Sequence, residues 1–164
     1  MSILPIVTWP DPRLSEMCTP VGQVTSAIRQ QAEDMLETMY DAPGRGLAAP
    51  QVGVMNRLFV TDFTWKDGQP DPQVFLNPEI LDASSTLVET DEGCLSIPGV
   101  TTRVARPDRV HFVWTSLDGA RVSQVLTGFA AACVQHELDH LNGIVTLDRL
   151  SPEDRARAEE AYSA

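Results

Sequence analysis

The stretch that decides the fold is Gly128–Leu141, which reads GFAAACVQHELDHL. Apolar and small residues occupy nearly every side of this segment, a pattern typical of a helix buried inside a domain. His136 and His140 are four residues apart, so their imidazoles lie one above the other on one helical face. The segment therefore predicts a buried helix that presents two histidines to a single site.

This histidine pair predicts a metal centre with a base beside it. In a helical His-Glu-x-x-His the two imidazoles bind one ion, and the adjacent carboxylate, here Glu137, is placed to take a proton from an attacking water. The competing interpretation is a solvated helical face without function. The apolar composition of the helix argues against it, because unpaired polar groups are costly in such surroundings.

The rest of the chain predicts an α+β fold. Residues 24–40 have helical spacing with Thr25 and Ser26 as caps, and a second short helix is expected over 152–162. The small-residue stretch 44–53 is either a loop or a strand. Strands are expected at Leu58–Thr61, Val74–Leu76, Thr86–Glu89, Val110–Thr115 and Val122–Leu126. We expect antiparallel or mixed β-sheets packed around the buried helix that carries the His-Glu-x-x-His motif.

Composition excludes several classes of protein. The 164 residues, 43% hydrophobic and 21% charged, predict one globular domain over 1–164. Acidic residues outnumber basic ones by 23 to 12, so direct nucleic-acid binding is not expected. The start MSILPIVTWPDP lacks a signal-peptide pattern and no apolar run would span a membrane, so we expect a cytoplasmic protein. An odd number of cysteines argues against a disulfide framework, and Cys18 and Cys133 are expected in the core.

The residues alone leave the third metal ligand open. A metzincin would need a third histidine at position 146, where the chain has Thr146. A thermolysin-like peptidase would take a glutamate from a following helix, and Glu159 or Glu160 meets that requirement. Cys94, in Glu-Gly-Cys-Leu-Ser at 92–96, offers instead a thiolate suited to zinc or ferrous iron.

A third stretch, Gly-Arg-Gly-Leu-Ala-Ala-Pro-Gln at 44–51, completes a family resemblance. The chain resembles the peptide deformylases, whose motifs read Gly-x-Gly-x-Ala-Ala-x-Gln, Glu-Gly-Cys-x-Ser and His-Glu-x-Asp-His in this order. The resemblance implies a bacterial, cytoplasmic hydrolase that removes the formyl group from N-formylmethionyl peptides of newly made proteins. Its partner would be such a peptide or a nascent chain.

The resemblance also implies a role for individual residues. One divalent metal ion per chain, ferrous iron with zinc, nickel or cobalt as substitutes, would be bound by Cys94, His136 and His140. Glu137 would transfer protons, while the Gln51 side chain and the Leu95 backbone N–H would stabilise the oxyanion. Substrate-binding positions would be Gly44, Arg45, Gly46, Leu47 and Cys133. Behind the ligands, the orienting residues would be Glu92, Asp139 and Arg106.

Some positions depart from the family pattern. Arg45 stands where an aliphatic residue is usual, and Thr90 and Ala132 replace larger residues, so the substrate pocket is expected to be wider or more polar. We expect Arg45 either to lie at the rim of the pocket and favour an acidic residue after formyl-methionine, or to extend into solvent without a role in substrate selection. The C-terminal segment is short and not basic, so we expect no ribosome docking through it.

The alternative functions are a metallopeptidase or other amide hydrolase using Glu159 or Glu160, and a metal-stabilised binding module without turnover.

Overall fold

The fold combines three α-helices and seven strands in a computed structural model that describes residues 2–163. The helices are α1 (Ser26–Asp41), α2 (Gly128–Leu141) and α3 (Pro152–Ser163). The strands are β1 (Gly46–Ala48), β2 (Leu58–Thr61), β3 (Gln73–Ala83), β4 (Leu87–Cys94), β5 (Ile97–Pro107), β6 (Arg109–Thr115) and β7 (Arg121–Thr127). The predicted α+β class is confirmed.

The strands form two antiparallel units. Five of them make a sheet in the order β1-β2-β3-β6-β7, and β4 pairs with β5 as a separate hairpin. The hairpin turns through Leu95 and Ser96, since Cys94 is in register with Ile97. Strand β1 is therefore at one edge of the larger sheet, with β2 on one side only.

The larger sheet is covered on both faces at β2, which explains the burial of all four residues of this strand. Phe59 packs in the cluster that includes residues of α2, whereas Leu58 and Val60 pack with Met35 and Met39 of α1. Alternate side chains of a strand point to opposite faces, so α1 and α2 lie on opposite sides of the sheet. The sheet therefore covers one side of helix α2. This agrees with the buried helix that the sequence predicted.

Helix α2 is fixed at its C-terminal end by the chain's N-terminal segment and by Arg57, the residue before β2. The Leu141 carbonyl accepts hydrogen bonds from Cys18 N and Arg57 Nη1, both at 2.9 Å. These bonds satisfy a carbonyl that has no partner within the helix. The chain then turns at Gly143 with φ of 76°, where a Cβ would lie 2.8 Å from the Ser15 backbone. The position of both histidines is set by this anchored end.

The predicted element bounds differ from the structure mainly in the strands. Helix α2 has the predicted bounds, and α1 begins two residues later than expected, with Thr25 Oγ1 accepting from Ile28 N. Strands β3 and β4 extend well beyond the predicted runs, and β5 was not predicted because Pro98 and Gly99 interrupt its sequence pattern. Within residues 2–163, none of the helices has the length and apolar character needed to cross a membrane.

Candidate active site

One sulfur and two ring nitrogens converge between α2 and the β4–β5 hairpin. The Sγ of Cys94 lies 3.4 Å from His140 Nε2, and the two Nε2 atoms of His136 and His140 are 3.3 Å apart. The ligand atoms of the three residues all lie within 4.8 Å of one another. Cys94 is the last residue of β4, so the hairpin brings the thiol to the histidine face of α2.

These residues fit a single divalent metal ion. A thiolate with two imidazoles is a donor set typical of zinc and ferrous iron. Burial lowers the pKa of His140, which favours the neutral ring with a free lone pair. Burial opposes protonation of His136, but Glu137, Cys94 and Glu92 outweigh it and raise the pKa of His136. The acidic side chains of Glu92 and Glu137 beside the cluster therefore favour a cation at this point.

The alternative glutamate ligands are not part of this cluster. Among the described residues, Cys94, His136 and His140 form the group with metal-binding geometry. Glu159 Oε1 instead accepts a hydrogen bond from Arg155 Nε at 3.0 Å within α3. Glu160 is exposed on the same helix.

A buried chain of charges orients the ring of His136. Burial tends to raise the pKa of Glu92, but hydrogen bonds from His136 and Arg106 outweigh burial and lower it to about 2. Glu92 is therefore ionised, and His136 Nδ1 must donate to Glu92 Oε1, at 2.9 Å. The other ring nitrogen of His136, Nε2, is then the atom that can bind a metal ion together with Cys94. Arg106 donates to both Glu92 and Asp139, and Arg149 donates to Asp139 from the other side.

Glu137 lies against β1 with an unsatisfied oxygen. Its Oε1 is buried without a hydrogen-bond partner, and burial raises the pKa of Glu137 to about 7. A Cβ on Gly46 would lie 2.6 Å from Glu137 Oε2 and 3.0 Å from Cys133 Sγ. Only glycine at position 46 lets the edge strand approach the carboxylate this closely.

Hydrogen bonds at both Oε1 and Nε2 hold the side-chain amide of Gln51 in one orientation. Its Oε1 accepts from Ala48 N at 2.9 Å, while Nε2 donates to Ser96 Oγ at 3.1 Å and lies 3.6 Å from Cys94 Sγ. The N–H₂ group is therefore directed toward the ligand cluster. Leu95 follows Cys94 in the hairpin turn and lines the same site.

The site opens into a cavity of about 1020 Å³ between β1, the hairpin and α2. Predicted site residues that line it are Gly44, Arg45, Gly46, Glu92, Cys94, Leu95, Cys133, His136 and Glu137. The side chain of Leu47 is fully buried and packs with α1 residues, so this predicted substrate-binding residue does not line the cavity. Cys133 is buried in the cavity wall, and burial raises the pKa of its thiol.

Comparison with known proteins now identifies the family. The family model of polypeptide deformylase matches residues 3–156. The chain belongs to the polypeptide deformylase family. It is 46% identical over 158 residues to a peptide deformylase of Maricaulis maris, covering 96% of this chain and 91% of that protein. It is 49% identical over 157 residues to a peptide deformylase of Alkalilimnicola ehrlichii, covering 96% and 87%.

Solved deformylase structures share the whole fold. A peptide deformylase from Legionella pneumophila superposes with a TM-score of 0.93 at 38% identity, covering 99% of this chain and 94% of that one. A peptide deformylase from Synechococcus elongatus, in complex with actinonin, also gives 0.93 at 38% identity, with coverage of 98% and 88%. The resemblance predicted from the three motifs is confirmed at the level of the family, which is metal-dependent.

Sequence reasoning overlooked several residues of this deformylase site. Ser96 belongs to the second motif and fixes the Gln51 amide, and Arg149 completes the charge chain through Asp139. Phe129 and Lys66 line the cavity but lie outside the motifs. Phe129 is 51% exposed although most residues of its helix are buried. The sequence alone does not reveal this exposure.

Proposed function

We propose that this protein hydrolyses the formyl group from N-formylmethionyl peptides, releasing formate and a free amino terminus. The observation that carries the proposal is the convergence of Cys94, His136 and His140 beside Glu137, at the base of a cavity with an open strand edge. Membership of the deformylase family supports the same reaction.

Strand β1 offers an edge for an extended peptide. Asp62 follows directly after β2, and its backbone N–H donates to Arg45 O at 3.0 Å. Within the strands, Leu47 is in register with Val60. In an antiparallel ladder alternate residues direct their backbone groups to the same side. Gly46, between Arg45 and Leu47, therefore directs its N–H and C=O away from β2 and toward the cavity. A peptide that pairs there extends the sheet, the β-augmentation mode of recognition.

The residues that would bind the ion are Cys94, His136 and His140, and we propose ferrous iron, with zinc, nickel or cobalt as substitutes. Once bound, such an ion supplies Lewis acidity, which polarises a carbonyl and makes water more acidic. The choice of iron rests on the family resemblance, and the donor set is equally suited to zinc.

Glu137 then has the role of proton carrier. Its buried carboxylate, which has an oxygen without a hydrogen-bond partner among the described residues, would accept a proton from the attacking water and later give it to the leaving amine. The Gln51 Nε2 group and the Leu95 backbone N–H would donate to the oxygen that gains charge at the formyl carbon. Water and the formyl amide thus become formate and an amine. The site of action would be the cytoplasm, on nascent or newly released chains.

The test is formate release from formyl-Met-Ala-Ser by protein loaded anaerobically with ferrous iron. We expect formate in amounts equal to the new amino termini, with acetyl-Met-Ala-Ser left intact. Cleavage at an internal peptide bond without formate would support a metallopeptidase instead. Metal binding with no product from either peptide would support a binding module without turnover.

A further inference from the structure

Arg45 contributes a cation to the cavity wall. Its guanidinium carbon lies 5.1 Å from the centroid of the Phe129 ring, a cation–π contact that holds the group in place. Its Nε is buried and has no hydrogen-bond acceptor. Within residues 2–163 we find no ion pair to this guanidinium. A buried donor without an acceptor is costly, and a carboxylate matches the fork of arginine.

The carboxylates that line the cavity, Asp91, Glu92 and Glu137, form no ion pair with Arg45 among the described residues. Glu92 is bound by Arg106 and His136, and Asp91 is exposed and pairs with Arg103 at 3.2 Å. Glu137 lies at the metal-binding cluster. Lys66 is a second cation on the rim, 5.7 Å from the Trp65 ring. Within residues 2–163, none of the carboxylates of the cavity wall is therefore the partner of Arg45.

The edge of β1 places Arg45 relative to a bound peptide. Gly46 faces Glu137, so in a peptide paired with β1 the formyl-methionyl unit, which must reach Glu137, would lie opposite Gly46. In a peptide strand antiparallel to β1, the next residue is opposite Arg45. Opposed residues of two strands have Cβ atoms about 4.5–5.5 Å apart, well within reach of an arginine side chain.

We propose that Arg45 selects substrates with an acidic residue directly after formyl-methionine. This inference rests on the proposed deformylase activity and names the substrate class within it. The carboxylate of the second residue would accept a hydrogen bond from the guanidinium and supply the partner that Nε lacks. An interaction at a cavity rim of this kind changes kcat/KM by about fivefold.

The test compares formyl-Met-Asp-Ala with formyl-Met-Asn-Ala, which differ in charge but scarcely in shape. The ratio of their kcat/KM values is measured for the parent, Arg45→Gln, Arg45→Lys and Arg157→Gln. Arg157 is 71% exposed on α3, so its substitution changes the net charge equally without touching the cavity. We expect Arg45→Gln to lower the Asp/Asn ratio about fivefold, Arg45→Lys to keep part of it, and Arg157→Gln to match the parent.

Two results would overturn the inference. One is the same Asp/Asn ratio in Arg45→Gln and Arg157→Gln, with metal content and circular dichroism equal to those of the parent. The other is a larger effect of Arg45→Gln when the Asp/Asn pair is moved to the third residue. Absence of formate from every peptide with the parent protein would instead refute the proposed function, and the inference with it.

Discussion

Arg106 binds both carboxylate oxygens of Glu92, donating from Nε to Oε2 at 2.6 Å and from Nη2 to Oε1 at 2.9 Å. The same Oε1 accepts from His136 Nδ1, so the arginine fixes the carboxylate that fixes the imidazole. Both charges are buried, and buried ion pairs contribute little net stability once desolvation is counted. We infer that the ion pair of Arg106 and Glu92 serves mainly to orient His136 as a metal ligand.

Replacing Glu92 with Gln is expected to weaken metal binding by about 10- to 100-fold, the usual effect of losing an outer-shell carboxylate. The matched control is Glu89→Gln, because Glu89 is on the same strand and its side chain is 64% exposed. Competition with a chromogenic chelator measures both affinities. Equal affinities in the two variants would refute the orienting role of Glu92.

The close approach of β1 to Glu137 makes Gly46 a sensitive position. Gly46→Ala would place a Cβ 2.6 Å from Glu137 Oε2, so the carboxylate must move. A displacement of about 1 Å in a reacting group costs about 10²-fold in turnover. Gly22→Ala is the control, since a Cβ there meets nothing within 4 Å. Steady-state kinetics at full metal loading decide this prediction, and normal turnover by Gly46→Ala would contradict it.

Glu137 is assigned to proton transfer and not to coordination. Glu137→Gln should therefore retain one metal ion per chain and lose activity by about 10²- to 10⁴-fold. Metal analysis and kinetics on the same preparation separate the two roles. If the fully metallated variant turned over at a nearly normal rate, the proton would have to move through another group.

The identity of the third ligand can be tested by metal content alone. Cys94→Ala is expected to lose tight metal binding, whereas the double variant Glu159→Ala/Glu160→Ala should keep it. The glutamates lie on α3, where Glu159 pairs with Arg155. One ion per chain retained by Cys94→Ala would exclude the cysteine as a ligand.

The aromatic cluster beneath α2 is expected to dominate stability. Phe112 is fully buried and contacts the rings of Phe59, Phe75 and Trp114. Phe112→Ala should lower the free energy of unfolding by about 3–5 kcal/mol, from lost burial and the cavity that remains. Val125→Ala, at a position 52% exposed, should change it by about 0.5 kcal/mol at most. Urea unfolding of the two variants gives the comparison, and similar losses in both would contradict this account of the core.

The sequence by itself determined the helix α2 and the histidine pair on it. Helical periodicity is local, and side chains at i and i+4 share a face wherever the helix is packed. For this reason the bounds 128–141 and the proximity of His136, Glu137 and His140 could be predicted before any long-range contact was known. The three motifs together also determined the family.

Only the tertiary structure decided which distant residues meet α2. Spacing left Cys94 and Glu159 or Glu160 open, and the resemblance favoured Cys94. The register of the β4–β5 hairpin then brings Cys94 to the histidines, 46 residues before His140. Strand β5 escaped prediction because Pro98 and Gly99 near its start have weak strand propensity, and its regular pairing with β4 begins only at Thr101.

Tertiary structure also decided which residues of the first motif face the cavity. Leu47 and Gly46 are neighbours in one motif, yet the strand directs Leu47 into the core beside α1 and Gly46 toward Glu137. Which neighbour faces the site depends on the register of β1 with β2, and a shift by one residue would exchange them. Register follows from packing across the whole sheet, so the local sequence could name the site residues but not assign each one its contacts.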